Sequence, residues 1–128
     1  MRDLRTIAVE NAPKAIGPYA QGIVSNGLLF TAGQVPLDPA TMKLVTGDIA
    51  AQTHRVFDNL EAILAGAGAT LAEAVKATVY LADMADFAKM NEVYAARFGA
   101  HRPARSTVQV AALPAGARLE IDLVVTVR

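Results

Sequence analysis

The sequence predicts an α+β domain, with one mixed sheet lying under two helices packed on one of its faces. Three observations lead there. Several stretches combine β-prone residues with two-residue alternation, and two longer stretches repeat apolar residues at helical spacing. Their order is strand, strand, helix, strand, helix, strand, strand, which one layer of sheet and one of helices satisfies. At 128 residues the chain suits one domain and is short for two, so 1–128 is read as a single unit.

The elements follow in order. Asn26-Gly27 lies between two β-prone runs and is a hairpin signal, because both residue types tolerate positive φ. Strands are therefore expected at about 20–25 and 28–34. Pro36 and Pro39 punctuate a turn-rich loop after them. The stretch "GDIAAQTHRVFDNLEAILAGAGA" is the clearest helix. Asp48 can cap it, Ile49, Val56, Leu60, Ile63, Leu64 and Ala67 form its apolar stripe, and Gly66 and Gly68 end it. "AVKATVYLA" alternates, with Val75, Ala77, Val79 and Leu81 on one face and Lys76, Thr78 and Tyr80 on the other. A second helix fits "DMADFAKMNEVYAARFGA", with Phe87, Met90, Val93, Tyr94 and Phe98 as its apolar side. "STVQVAAL" is a strand candidate. "ARLEIDLVVTV" closes the sheet, with Leu119, Ile121, Leu123, Val125 and Val127 alternating against Glu120, Asp122, Val124 and Thr126.

Composition narrows the function. Twelve basic and twelve acidic side chains cancel, so no basic excess points to nucleic acid and no lysine run to a membrane surface. There is no cysteine, which excludes thiol catalysis and cysteine-ligated metal. His54 and His101 are far apart in sequence and outside any metal-ligand spacing. The first residues lack a signal peptide's apolar core, and no apolar run approaches a membrane span. A cytoplasmic protein is expected. With 53% hydrophobic and 19% charged residues, some apolar surface is expected to be covered by another subunit.

Three places carry polar groups that a purely structural design does not need. Arg105, in "RPARSTVQV", follows a stiffening proline and has no adjacent acid. Its planar fork of donors matches a carboxylate or phosphate, though a lone arginine beside a strand is usually a solvated charge or half of a surface ion pair. Tyr19 follows the Gly17-Pro18 turn in "AIGPYAQG" and either packs as a corner or faces a ligand. Glu120 is an acid inside an apolar strand. Covered by another subunit, its carboxylate would lose solvent and become a better proton acceptor; otherwise it could pair with Arg118 or Lys76. Asp122 competes with it on the same face. Gly33-Gln34 and Asn91 are weaker candidates, for close backbone approach and for a polar contact respectively. No phosphate loop, nucleophile elbow or dinucleotide fingerprint is present.

Five motifs in order, "ENAPKAIGPYAQG", "TAGQVPLDP", "GDIAAQTHRVFDNLEAIL", "VYLADMADFAKMNEVYAARF" and "RPARSTVQVAALPAGARLEIDLVV", resemble the RidA (YjgF/UK114) family of reactive-intermediate imine deaminases. The resemblance implies a chorismate-mutase-like subunit and a homotrimer with clefts at the subunit interfaces. It implies hydrolysis of 2-imino or enamino acids, such as 2-aminoacrylate and 2-iminopropanoate released by PLP enzymes, to 2-oxo acids and ammonia. These imines hydrolyse unaided in water, so no cofactor or metal is called for. The arginine of the family's "PARS" motif, Arg105 here, would bind the substrate carboxylate. Glu120 would position the attacking water, and Tyr19 would line the pocket across the interface. Gly33, Asn91 and Thr107 would complete the substrate site. Many relatives have serine where Ala32 stands and cysteine at Thr107, so a hydroxyl and a thiol are lost. A non-catalytic 2-oxo acid sensor is the alternative, since the same arginine serves it. A ribonuclease or chaperone-like role, attached to some relatives, sits poorly with zero net charge.

Overall fold

The computed structural model describes residues 3–128. Its strands are β1 (Arg5–Ile7), β2 (Gly22–Ser25), β3 (Leu28–Thr31), β4 (Ala74–Leu81), β5 (Ala104–Gln109) and β6 (Leu119–Thr126), and its helices are α1 (Ile49–Gly66) and α2 (Phe87–Phe98). The strands form one mixed sheet in the order β1-β2-β3-β6-β4-β5. β3 and β4 both run antiparallel to β6, and β4 pairs with β5 in parallel. The chain therefore makes two strand-helix-strand passes, and the last strand slots into the middle of the sheet. A central strand buried on its helix-facing side must be apolar there, and β6 is: Leu119, Ile121, Leu123 and Val125 are buried.

Local chemistry explains each element. Asn26 and Gly27 adopt φ of 52° and 76°, so the β2–β3 hairpin closes through the turn its residue types favour. The Asp48 side chain accepts a hydrogen bond from the Ala51 amide at 2.9 Å and caps α1. The stripe of Ile49, Val56, Leu60, Ile63 and Leu64 is buried against the sheet. Buried Asn59 on the same helix donates to the carbonyls of Val35 and Leu37, tying the loop after β3 to α1. The rings of Phe57, Tyr94 and Phe98 pack together where α1 meets α2. Both histidines are structurally engaged: His101 contacts the Ala74 carbonyl and His54 contacts Arg97.

Several expectations need correction. β1 was not anticipated; it is a three-residue edge strand with too little pattern to stand out. The third strand ends at Thr31, and Gln34 returns only as an isolated bridge to Ile121. The second helix starts at Phe87, after a 3-10 turn at Met84–Asp86. β5 begins at Ala104, so Arg105 lies within the strand and not ahead of it. Val75 does not share the buried face of Ala77, Val79 and Leu81. The pairing with β6 slips between Ala74 and Lys76, and this bulge puts Ala74 inside and leaves Val75 46% exposed.

Candidate functional site

Strand register decides which polar groups can meet. Arg105 pairs with Ala77 and Thr107 with Val79. Ala77 and Val79 are fully buried in the core, so Arg105 and Thr107 point to the helix side. Glu120 pairs with Tyr80 and Asp122 with Thr78, on alternate positions that face away from the helices. Arg105 and Glu120 of one chain therefore lie on opposite faces of one sheet.

On the helix side, Arg105 is held rather than free. Its Nη1 donates to the Asn91 side-chain oxygen at 2.7 Å. Its guanidinium carbon lies 4.6 Å from the centre of the Tyr94 ring and 5.5 Å from that of Phe87. Such contacts are worth about 0.5–1 kcal/mol at exposed sites and more where desolvated. No carboxylate pairs with Arg105 among the described residues. Asn91, Tyr94, Ala95, Arg102, Pro103 and Arg105 line a cleft of about 380 Å³. The hydroxyls of Tyr94 and Thr107 are buried without a partner among the described residues. A buried polar group left this way costs about 1–3 kcal/mol, so each such group calls for an explanation.

On the other side, Glu120 is half-buried against Gly33. A Cβ at position 33 would lie 2.2 Å from Glu120 Oε2, so only glycine lets the carboxyl approach. Burial raises the Glu120 carboxyl above its ordinary value, and the neighbouring Asp122 carboxylate raises it further. Asp122 is also raised by burial, against the lowering effects of the Tyr80 hydroxyl, which donates to it at 3.0 Å, and of Lys76. Glu120 does not take Arg118, which forms an ion pair with Asp86 at 2.7 Å. Tyr19 follows a tight turn in which its amide donates to the Gly17 carbonyl. The residue is 52% exposed, and it shares a small cavity of about 40 Å³ with Ile16, Gly33 and Gln34.

The candidate residues thus fall into two groups. Arg105, Asn91 and Thr107 form one; Tyr19, Gly33 and Glu120 form the other. Sequence reasoning counted Tyr94 and Phe87 only as the apolar side of α2 and passed over Arg102. The signal was available: Phe87, Asn91 and Tyr94 fall at i, i+4 and i+7, one face of a helix.

Residues 9–127 match the family described as endoribonuclease L-PSP. The chain belongs to this family, which is the RidA/YjgF family. It is 53% identical to a RutC family protein of Pyrococcus horikoshii, over 92% of this chain and 94% of that protein. It is 45% identical to the 2-iminobutanoate/2-iminopropanoate deaminase of Escherichia coli K12, over 94% of this chain and 95% of the enzyme. The solved structure of E. coli TdcF with bound serine superimposes with a TM-score of 0.89 at 39% identity, covering 97% of this chain and 98% of that one.

Proposed function

We propose that this chain is an imine deaminase that hydrolyses 2-imino and enamino acids to 2-oxo acids and ammonia, working as a homotrimer of the chorismate-mutase-like type. The name of the E. coli relative supports the activity. The single observation in the structure that carries it is Arg105: a guanidinium fixed by Asn91 and two aromatic rings, unpaired by any described carboxylate, at the edge of a cleft.

The chemistry asks for little more. Arg105 holds the substrate carboxylate with the donors that Asn91 leaves free. Water then adds to the imine carbon. A C–O bond forms while the C=N electron pair moves to nitrogen, which takes a proton. Collapse of the carbinolamine breaks the C–N bond, releases ammonia and leaves the 2-oxo acid. Glu120 accepts the water's proton and returns it to the leaving nitrogen, a role suited to a carboxylate made more basic by burial. Tyr19 and Gly33 wall the same side, and Thr107 lies beside the carboxylate.

One chain cannot bring Arg105 and Glu120 together across its own sheet, so the site is read as composite, with Arg105 from one subunit and Glu120 and Tyr19 from the next. Exposed Phe30 and Val108 on the open side of the sheet give that interface apolar surface to bury.

The test generates 2-aminoacrylate with a serine dehydratase and traps the imine with semicarbazide. Added protein should divert the imine to pyruvate, and Arg105→Ala should not. Equal diversion by both would keep the reaction and remove the site. No diversion by either, with a carboxylate still bound by the wild type, would replace the enzyme with the sensor.

A further inference from the structure

The Arg105 cleft holds a second cation that the reaction above does not use. Arg102 lines the same cleft, separated from Arg105 by Pro103 and Ala104. Its Nη1 is engaged only by backbone carbonyls, those of Gly99 and His101. No acidic residue lines this cleft, and neither arginine forms an ion pair among the described residues. Tyr94 lines the same cleft with its ring under Arg105; it is only 5% exposed, and its hydroxyl is buried without a partner among the described residues.

Simple binding of a monocarboxylate occupies Arg105 and leaves Arg102 unused. A short diacid uses both arginines. We infer that this cleft selects dicarboxylic 2-imino and 2-oxo acids, with the 1-carboxylate on Arg105 and the distal carboxylate on Arg102. The inference rests on the deaminase reading for the word imino, but its geometry concerns binding alone. Pro103 stiffens the segment between the two arginines, so less freedom is lost when a ligand spans them. The cleft, at about 380 Å³, has room for a short diacid.

Calorimetric titration of the intact protein with 2-oxoglutarate and with pyruvate tests it. Arg102 is exposed, so its contribution is modest, and the wild type should bind 2-oxoglutarate roughly three- to tenfold more tightly than pyruvate. Arg102→Gln should bring the two affinities to within about twofold and leave pyruvate unchanged, and Arg102→Lys should keep part of the preference. The trapping assay is run in parallel with 2-aminoacrylate. No preference for the diacid, or a preference that survives Arg102→Gln, overturns the inference, even where imine hydrolysis is normal. A preference lost in Arg102→Gln without any imine hydrolysis sustains the diacid site and overturns the deaminase reading. If neither oxo acid binds, the inference fails.

Discussion

Arg105 shows how much one side chain depends on its supports. Its sequence neighbours gave no acid to pair with, and the structure supplies Asn91, Tyr94 and Phe87 instead. Removing the charge-assisted contact that Arg105 would make to a substrate carboxylate costs about 2–5 kcal/mol. Arg105→Ala should therefore lower kcat/KM for imine hydrolysis by roughly 30-fold to several thousand-fold. Asn91→Ala should cost less, because it frees the guanidinium without removing it. In the proposed reaction Glu120 sets the pH dependence. The ionisable groups facing it are Asp122 on its own strand and, on β4, Tyr80 and Lys76 close to Asp122. A base works deprotonated, and burial raises this one, so kcat/KM should fall as pH drops through a value above the ordinary glutamate range. Asp122→Asn removes the like charge and should move that acid limb to lower pH. An unmoved limb in a folded Asp122→Asn variant would exclude Glu120 as the titrating base.

At the scale of elements, periodicity made α1, β4 and β6 legible. Their apolar spacing reflects burial on one face, and the buried set matches it nearly residue for residue. Asn26-Gly27 was legible because positive φ restricts residue choice. The bulge at Val75 was not, because a register slip depends on what the partner strand does and leaves no mark in its own alternation. β1 was too short to carry a pattern. The contact between Gly33 and Glu120 joins residues 87 positions apart, and only the pairing of Gln34 with Ile121 brings them together. It also gives a clean test. Gly33→Ala collides with a flexible carboxylate rather than with backbone, so the variant should fold normally by circular dichroism. Displacing Glu120 should nevertheless reduce kcat by tenfold or more, in line with the roughly 10²-fold losses that misplaced catalytic groups can produce. Full activity with an added methyl at position 33 would show that Glu120 need not sit where it does.

The whole molecule raises a question that no single residue answers. The candidate residues could be named from the sequence, but the faces they occupy could not, since that depends on β5 pairing in parallel with β4 beyond the central strand. In the proposed reaction the two groups on opposite faces of one sheet act together only if copies of the chain bring them together. Light scattering should give the mass of a trimer; a monomer that still hydrolyses the imine would dismantle the composite site. The most direct test mixes two inactive variants. Arg105→Ala and Glu120→Gln are each purified, unfolded together in equal amounts and refolded. If one subunit supplies Arg105 and its neighbour Glu120, random assembly restores about one quarter of the sites, those pairing an intact arginine with an intact glutamate. Imine hydrolysis should then recover to about a quarter of the wild-type rate. Activity that stays at the level of the separate variants, in a mixture shown to contain hybrid trimers, would contradict a site shared between subunits.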